Sequence, residues 1–245
     1  VGEDFPPAWR HALAQAGLDL SFLEVVQGAR TPTCFILTDL ADRQSYAIDQ
    51  GPMADMAADP PGPHLLNSLP EGGWVHFATG NPVAYAPLAH AAREAGYRVA
   101  LDPGQELRFM YDRRSLEGML AMADILFVND FELGVACDLL AASGPEAILR
   151  LVPAMVVTRG AQGATLYRRG RPPFMQPAFP VRVVDPTGAG DALRAGWYAA
   201  LHAGLDEEQG LRWGQAAAAL CVQQVGAQER VARSGELAAM LKLTA

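Results

Sequence analysis

The chain has few of the features that mark secreted, membrane-spanning or nucleic-acid-binding proteins. It contains only 3 cysteines in 245 residues, widely spaced. They show neither a disulfide framework nor zinc-ligand spacing, which is typical of a reducing compartment. The net charge is −8 and no lysine- or arginine-rich run is present, so nucleic acid is not an expected partner. No apolar stretch approaches the ~20 residues of a membrane span, and no signal peptide opens the sequence. We therefore expect a cytoplasmic protein without a membrane partner.

The composition is that of a globular protein. Apolar residues make up 50% of the sequence and charged residues 19%, so the chain can bury a full core. A single domain over residues 1–245 is favoured. Its first part predicts a helix at FPPAWRHALAQAG, followed by three strands, FLEVVQ, TCFILTD and QSYAID, with LADR as the turn between the last two.

From Trp74 onward, short apolar strands alternate with helices. The predicted strands are WVHFAT, YRVALD, DILFVN and AMVVTR, followed by GATLYRRG and FPVRVVD. Three helices are expected at 189–204, 206–224 and 234–243. This alternation predicts an α/β fold, a doubly wound and mostly parallel sheet with helices on both faces.

Polar or glycine residues follow five of the predicted strands: Gly80, Asp102, Asn129, Thr158 and Asp185. Ligands of open α/β sheets bind at the carboxyl ends of the strands. The five positions therefore predict a site on one edge of the sheet, although turn residues are also common at strand ends. His76 lies inside a predicted strand, and we interpret it as a core histidine with a hydrogen-bond partner.

The segment VVDPTGAGDALRAGWYAAL joins a strand to a helix. Gly188, Ala189 and Gly190 place bare N–H groups at the electropositive helix N-terminus, which suits the negative charge of a transferred phosphate. Asp191 follows in the first turn, where it can accept a proton from an attacking hydroxyl. The alternative is an aspartate that only caps the helix.

Small residues occupy one face of this helix: Ala192, Ala195, Gly196, Ala199 and Ala200. We expect this face to let the helix lie close to the sheet.

Several other nucleotide-binding and hydrolase motifs are missing. The sequence has no G-x-x-x-x-G-K-[ST] loop, no protein-kinase motif set and no H-E-x-x-H. A dinucleotide-binding reading of GAGDAL fails because Leu193 stands where the third glycine belongs.

The segment DPTGAGDALRAG resembles the C-terminal signature of the ribokinase-like (PfkB-type) carbohydrate and nucleoside kinases, with Leu193 in place of the usual aromatic residue. VNDFE resembles the N-x-x-E motif of that family, and VVTRGAQGA its nucleotide-binding strand and turn. VHFATGNP, ALDPGQEL and TPTCFILTD are most similar to the adenosine and archaeal nucleoside kinase branch.

The resemblance implies an ATP-dependent kinase that phosphorylates a primary hydroxyl group of a nucleoside or sugar. Asp191 would be the catalytic base, and Gly188, Ala189 and Gly190 would form the anion hole. Glu132 would hold Mg²⁺ through water, with Asn129 near the ATP phosphates. Asn129 and Glu132 also fit a capping box, which is a purely structural role.

The resemblance also implies that Thr158, Gly160 and Gly163 belong to the nucleotide site. Thr187 and Asp185 match positions that can bind a monovalent cation such as K⁺ beside the anion hole.

In this family a small β lid covers the substrate, and residues 21–50 are expected to contribute its strands. The family pattern includes an earlier βα unit with sugar-binding groups that this sequence does not contain. A catalytically impaired nucleotide- or sugar-binding homologue is therefore an alternative, and so, less favoured, is a sugar kinase of the ribokinase or fructokinase type. The resemblance also allows a homodimer.

Overall fold

A computed structural model describes residues 1–38, 44–55, 62–228 and 231–242, so the predicted turn LADR lies outside the described residues. Within these ranges the chain forms two sheets and the helices that cover them. The strands are β1 (Thr33–Thr38), β2 (Gln44–Asp49), β3 (Trp74–Phe77), β4 (Arg98–Leu101), β5 (Ile125–Asn129), β6 (Ala154–Thr158), β7 (Ala164–Arg168) and β8 (Arg171–Gln176). The helices are α1 (Pro7–Gln15), α2 (Pro82–Glu94), α3 (Glu106–Phe109), α4 (Arg113–Met122), α5 (Asp130–Leu140), α6 (Pro145–Ile148), α7 (Ala189–His202), α8 (Glu207–Cys221) and α9 (Ser234–Lys242).

The larger sheet has six strands in the order β3-β4-β5-β6-β7-β8. Neighbours from β3 to β6 are parallel, and β7 and β8 are added antiparallel. Because β3 to β6 run in one direction, their carboxyl ends lie at the same edge of the sheet. The predicted mostly parallel sheet is confirmed, and its common edge is where the candidate site forms.

Helices cover both faces of this sheet. Along β5, Leu126 and Val128 face one apolar core, which they share with side chains of α2, α4 and α5. Ile125 and Phe127 face a second core, formed with α7 and α8. All four side chains are 1% exposed, as expected for a strand covered on both faces.

The early part of the chain is packed much less tightly. No residue of α1 is buried. Strands β1 and β2 form an antiparallel hairpin of their own, in which Thr33 pairs with Asp49. Phe35 and Leu37 are 67% and 71% exposed. TCFILTD and QSYAID therefore form the expected strands, but these strands lie outside the main core.

Two predicted strands are wrong. FLEVVQ forms only an isolated bridge between Val26 and Gly2, and Phe22 is exposed. FPVRVVD is not a strand, because the N–H groups of Val184 and Asp185 both donate to the carbonyl of Val222.

The edge of the sheet beside β7 is formed by β8, RPPFMQ, a strand that the sequence does not predict. An edge strand tolerates its two prolines because one side of its backbone needs no partner.

The small face of α7 contacts α8 rather than the sheet. A Cβ atom on Gly196 would lie 2.6 Å from the carbonyl oxygen of Trp213 and 2.8 Å from Cα of Gly214. The sheet side of α7 instead carries Leu193 and Trp197, both buried. The prediction that this face lies against the sheet is therefore wrong, because at Gly196 the close approach joins α7 to α8.

Candidate active site

The glycine turn before α7 can be built only with glycine at position 188. Gly188 has φ of +80°, a left-handed conformation that other residues rarely adopt. A Cβ atom there would also lie 2.6 Å from Cβ of Ala227. The turn therefore lies directly against the segment that follows α8.

Asp185 ties this turn to the same segment. One carboxylate oxygen accepts a hydrogen bond from the Thr187 N–H at 2.9 Å, and the other accepts from the Gly226 N–H at 2.9 Å. Hydrogen bonds from Gly226 and from the backbone and side chain of Thr187 hold the pKa of Asp185 below its usual value. Through these two hydrogen bonds Asp185 links the turn before α7 to the segment that follows α8.

The backbone donors of the turn are not equivalent. The Ala189 N–H donates to the carbonyl of Pro186 at 3.2 Å. This N–H, which was predicted to form part of an anion hole, is therefore already used within the turn. No described residue accepts a hydrogen bond from the N–H of Gly188 or Gly190. Two backbone donors at the start of α7 are therefore open to an anion.

Asp191 lies at N3 of α7, and its side chain does not cap the helix. The N-cap is Gly188, and no side-chain capping bond is formed. Asp191 is exposed, and no described residue donates a hydrogen bond to its carboxylate. The capping alternative therefore finds no hydrogen bond to support it.

Asp191 and Gly188 line a cavity of about 250 Å³. The remaining lining residues are mostly small and apolar, and they come from α7, α8, α9 and the segments before α9: Ala192, Ala195, Gly196, Ala199, Ala217, Cys221, Ala227, Gln228, Val231, Ala232 and Leu237. Side chains of this kind suit a flat apolar group such as a nucleobase.

Asn129 and Glu132 form a complete capping box at the start of α5. The Asn129 side chain accepts a hydrogen bond from the Glu132 N–H, and Glu132 Oε2 accepts one from the Asn129 N–H, both at 2.8 Å. Burial raises the pKa of the Glu132 carboxyl, while the hydrogen bond from Asn129 opposes that rise. The structural role of the pair is therefore present, and it leaves the second oxygen of Glu132 for another ligand.

Thr158 lies beside this pair. The register of β5 and β6 places Thr158 opposite Asn129, the last residue of each strand. Arg159 follows, with Nε 3.0 Å from Asp130 Oδ1, so it joins the end of β6 to the start of α5.

The two glycines of the β6–β7 turn play different parts. Gly160 has φ of +51° and open space around it. At Gly163 a Cβ atom would overlap the backbone of Gln176 and Ala178. Gly163 therefore closes the turn against the end of β8, which is a packing role, whereas Gly160 leaves its surroundings open.

A charged network under the first turn of α7 was missed from the sequence. Arg194 Nη2 donates to Asp102 Oδ1 at 2.6 Å, and Nε lies in ion-pair contact with Oδ2 without forming a hydrogen bond. His76 Nε2 lies 3.4 Å from Asp102, and His76 Nδ1 lies 2.6 Å from the hydroxyl of Tyr198. The interpretation of His76 as a partnered core histidine is confirmed.

A magnesium ion at this site would need ligands beyond the protein. In the described part of the chain, no group of three or more His, Cys, Asp and Glu side chains is arranged to hold a metal ion. Mg²⁺ commonly takes one or two carboxylates and completes its octahedron with water and substrate phosphates. Glu132, with one oxygen fixed by a backbone N–H, fits that pattern.

The structure thus combines a mostly parallel α/β sheet with a glycine turn and an apolar cavity at the start of α7. The pfkB family of carbohydrate kinases matches residues 1–233, and the chain belongs to this family. It is therefore a kinase that uses ATP to phosphorylate a nucleoside or a sugar, as the signature around Asp191 predicts.

Relatives of known activity agree with this assignment. A nucleoside kinase of Methanothermobacter thermautotrophicus is 32% identical over 238 residues, which are 96% of this chain and 75% of that protein. An ATP-dependent ribose-1-phosphate kinase of Halopiger xanaduensis is 31% identical over 225 residues, 89% of this chain and 70% of that protein.

Solved structures agree as well. The nucleoside kinase of Burkholderia thailandensis in complex with inosine has a TM-score of 0.88 at 25% identity, over 99% of this chain and 79% of that one. The nucleoside kinase of Methanocaldococcus jannaschii, a member of the ribokinase family, has a TM-score of 0.87 at 28% identity with the same coverage. The predicted ribokinase-like fold is confirmed. Across the described residues, no helix has the length and hydropathy to cross a membrane.

Proposed function

We propose that this chain transfers the γ-phosphoryl group of ATP to the hydroxymethyl oxygen of a nucleoside, with Asp191 as the general base. The observation that carries the proposal is the exposed Asp191 carboxylate, which caps nothing and lines the cavity together with Gly188, in the same helix turn as the open N–H groups of Gly188 and Gly190. A nucleoside is favoured over a sugar because proteins named as nucleoside kinases stand among both the sequence relatives and the structural neighbours.

In the proposed reaction, the acceptor oxygen attacks the γ-phosphorus and its proton moves to Asp191. The bond to the bridging oxygen breaks, and ADP leaves. The N–H groups of Gly188 and Gly190 stabilise the charge on the transferred group, in a position fixed by the packing of α7 on α8. The transition state is loose, so orientation of the hydroxyl group matters more than the strength of the base.

We propose that Asn129 and Thr158 lie near the ATP phosphates and that Glu132 contributes to a Mg²⁺ site. Mg²⁺ bound there would neutralise negative charge on the phosphates. The capping box supports this proposal because it holds Glu132 at a defined position beside the strand ends. Gly160, in the open turn after β6, is a third proposed nucleotide contact.

A monovalent cation such as K⁺ is proposed beside Asp185 and Thr187. Each oxygen of Asp185 accepts one N–H hydrogen bond, and a carboxylate retains further lone pairs for a cation. The lowered pKa of Asp185 keeps the group charged over the physiological range. Stimulation of turnover by K⁺ relative to a bulky organic cation tests this part.

We propose that residues 1–245 act as one kinase domain, with β1 and β2 as part of a lid. Gln50, directly after β2, donates from Nε2 to Oε1 of the buried Glu106 at 2.6 Å. This bond connects the hairpin to the edge of the sheet that carries the site. The exposed Phe35 and Leu37 suit either a bound acceptor or the lid of a second copy in a homodimer. The three free cysteines support a cytoplasmic location.

The experiment that tests the main proposal is Asp191→Asn, assayed with ATP and Mg²⁺ against purine and pyrimidine nucleosides, ribose, ribose 1-phosphate and fructose. We expect kcat to fall about 10²–10⁴-fold while ATP affinity hardly changes, because the lost contact concerns the acceptor hydroxyl. Asp206→Asn is the matched control, since Asp206 caps α8 and Asn caps equally well.

Near-normal kcat in Asp191→Asn would refute the base assignment. A wild-type chain that binds ATP but phosphorylates no member of the panel would favour the catalytically impaired homologue instead.

A further inference from the structure

Arg194 is held against Asp102 by one edge of its guanidinium group. Nη2 donates to Asp102 Oδ1, and Nε lies in ion-pair contact with Oδ2 without a hydrogen bond. No described residue accepts a hydrogen bond from the third nitrogen, Nη1. A guanidinium group held by one edge in this way presents its other edge in a fixed direction.

That free edge faces the glycine turn. A Cβ atom built on Gly190 would lie 2.5 Å from Nη1 of Arg194. The missing side chain of Gly190 is therefore what admits the guanidinium group to the first turn of α7. Nη1 lies next to the residue whose N–H is one of the two open donors of the turn.

The surroundings of Arg194 restrict its movement. The guanidinium carbon lies 5.7 Å from the centre of the Phe127 ring. Asp102 is 7% exposed and has His76 on its other side, which in turn contacts Tyr198. Asp102 raises the pKa of the Glu132 carboxyl and Arg194 lowers it. Arg194 thus contacts the glycine turn and also acts electrostatically on the proposed metal ligand.

We propose that Arg194 is a phosphate-binding residue of this kinase, whose Nη1 donates to the terminal phosphoryl group of ATP alongside the N–H groups of Gly188 and Gly190. The proposal rests on the proposed function of the glycine turn. Asp102 acts as the positioning residue, and His76, whose other ring nitrogen contacts Tyr198, lies 3.4 Å from Asp102. The burial of a charged pair has a desolvation cost, and a role in binding the triphosphate explains why a charged pair is located at this point.

The test measures binding without turnover, by calorimetry on the 245-residue chain with ADP and with the ATP analogue that carries an imido group between the β- and γ-phosphates. In Arg194→Met we expect the affinity for the analogue to fall about 10–100-fold, the value of a lost charge-assisted hydrogen bond. Affinity for ADP should change less than about threefold, since ADP lacks the group that Nη1 contacts.

Arg168→Met is the matched control. Arg168 is similarly buried, with 14% of its side chain exposed against 17% for Arg194, and it also pairs with a carboxylate, that of Glu208. It lies at the opposite end of the sheet, because its strand partner is Ala154, the first residue of β6. This variant should bind both nucleotides as the wild type does.

Two further variants keep the test decisive if Arg194→Met folds poorly. Arg194→Lys retains the charge without the guanidinium contacts to Asp102. Asp102→Asn weakens those contacts while leaving Arg194 in place. Both should lose part of the preference for the analogue over ADP, and thermal unfolding of each chain reports whether it is folded.

An unchanged preference for the analogue over ADP in Arg194→Met and Arg194→Lys would overturn the proposal. Equal losses for the two nucleotides would also overturn it, because a purely structural arginine would act on both. If the preference is lost while Asp191→Asn keeps full turnover, Arg194 stands and the proposed role of Asp191 fails.

Discussion

Strands β1 and β5 are similar in sequence but differ in almost everything that surrounds them. TCFILT and ILFVN are both short apolar runs. In β5, four consecutive side chains are 1% exposed because helices cover both faces of the sheet. In β1, Phe35 and Leu37 are more than two-thirds exposed, and within the described ranges β1 pairs with β2 alone. An apolar run thus predicts a strand, but the neighbouring elements decide whether it is buried.

The largest expected effect on this comparison comes from alanine substitutions of two leucines, one buried and one exposed. Leu101 in β4 is fully buried, and Leu37 in β1 is 71% exposed. Leu101→Ala should lower the free energy of unfolding by about 2–5 kcal/mol, through lost apolar burial and a cavity. Leu37→Ala should change it by no more than about 0.5 kcal/mol. Urea unfolding of both variants measures this, and equal losses would show that the hairpin is buried in solution.

A second test concerns how closely α7 packs on α8, in contrast to the exposed hairpin of β1 and β2. Gly196→Ala places a methyl group 2.6 Å from the Trp213 carbonyl oxygen, so α7 and α8 must move apart. We expect a loss of about 1–3 kcal/mol of stability and weaker ADP binding, because Gly196 also lines the cavity. Gly134→Ala is the control. Gly134 lies inside α5 with nothing within 4 Å of an added Cβ atom, so this change should stabilise by about 0.5–1 kcal/mol. The prediction fails if the two substitutions have the same sign.

The same contrast explains how much of the fold the sequence predicts. Strands β3 to β6 are predicted because each is a continuous apolar run between clear helix boundaries. The prediction fails at the antiparallel edge of the sheet, next to β7. RPPFMQ forms the sheet edge in spite of its prolines, and FPVRVVD does not, although it is richer in β-branched residues.

Some parts of the candidate site can be predicted from the sequence and others cannot. The glycine turn, Asp191 and the pair Asn129 and Glu132 are local motifs, so the sequence alone indicates them. The pairing of Arg194 with Asp102 joins residues 92 positions apart. The sequence identifies Asp102 as a strand-end residue. Its spacing does not show which basic side chain pairs with it, because that depends on how α7 lies across the sheet.

The smallest expected effect is that of Glu132→Gln. This substitution separates the structural role of Glu132 in the capping box from its proposed role in binding Mg²⁺. Glutamine keeps an oxygen that accepts the Asn129 N–H, so the capping box should survive and stability should change little. The Mg²⁺ concentration needed for half-maximal turnover should rise about 10-fold, because a neutral amide is a poor ligand for Mg²⁺. Gln209→Ala is the control. It removes one hydrogen bond of the α8 capping box and should cost about 1 kcal/mol without changing the Mg²⁺ requirement.

The pH dependence of the same variant sharpens the test. Burial raises the pKa of Glu132, so the folded protein holds this proton more tightly than the unfolded chain does. Its contribution to stability therefore falls as the pH rises from the ordinary value of 4.5 through the raised folded value. Mg²⁺ binding has the opposite dependence, because only the ionised carboxylate binds. Acidification should thus raise the Mg²⁺ requirement of the wild type at a higher pH than an ordinary glutamate would, and Glu132→Gln should abolish this pH-dependent component. Titrations of Mg²⁺ against rate at several pH values measure both effects, and identical curves for the two proteins would leave Glu132 with its capping role alone.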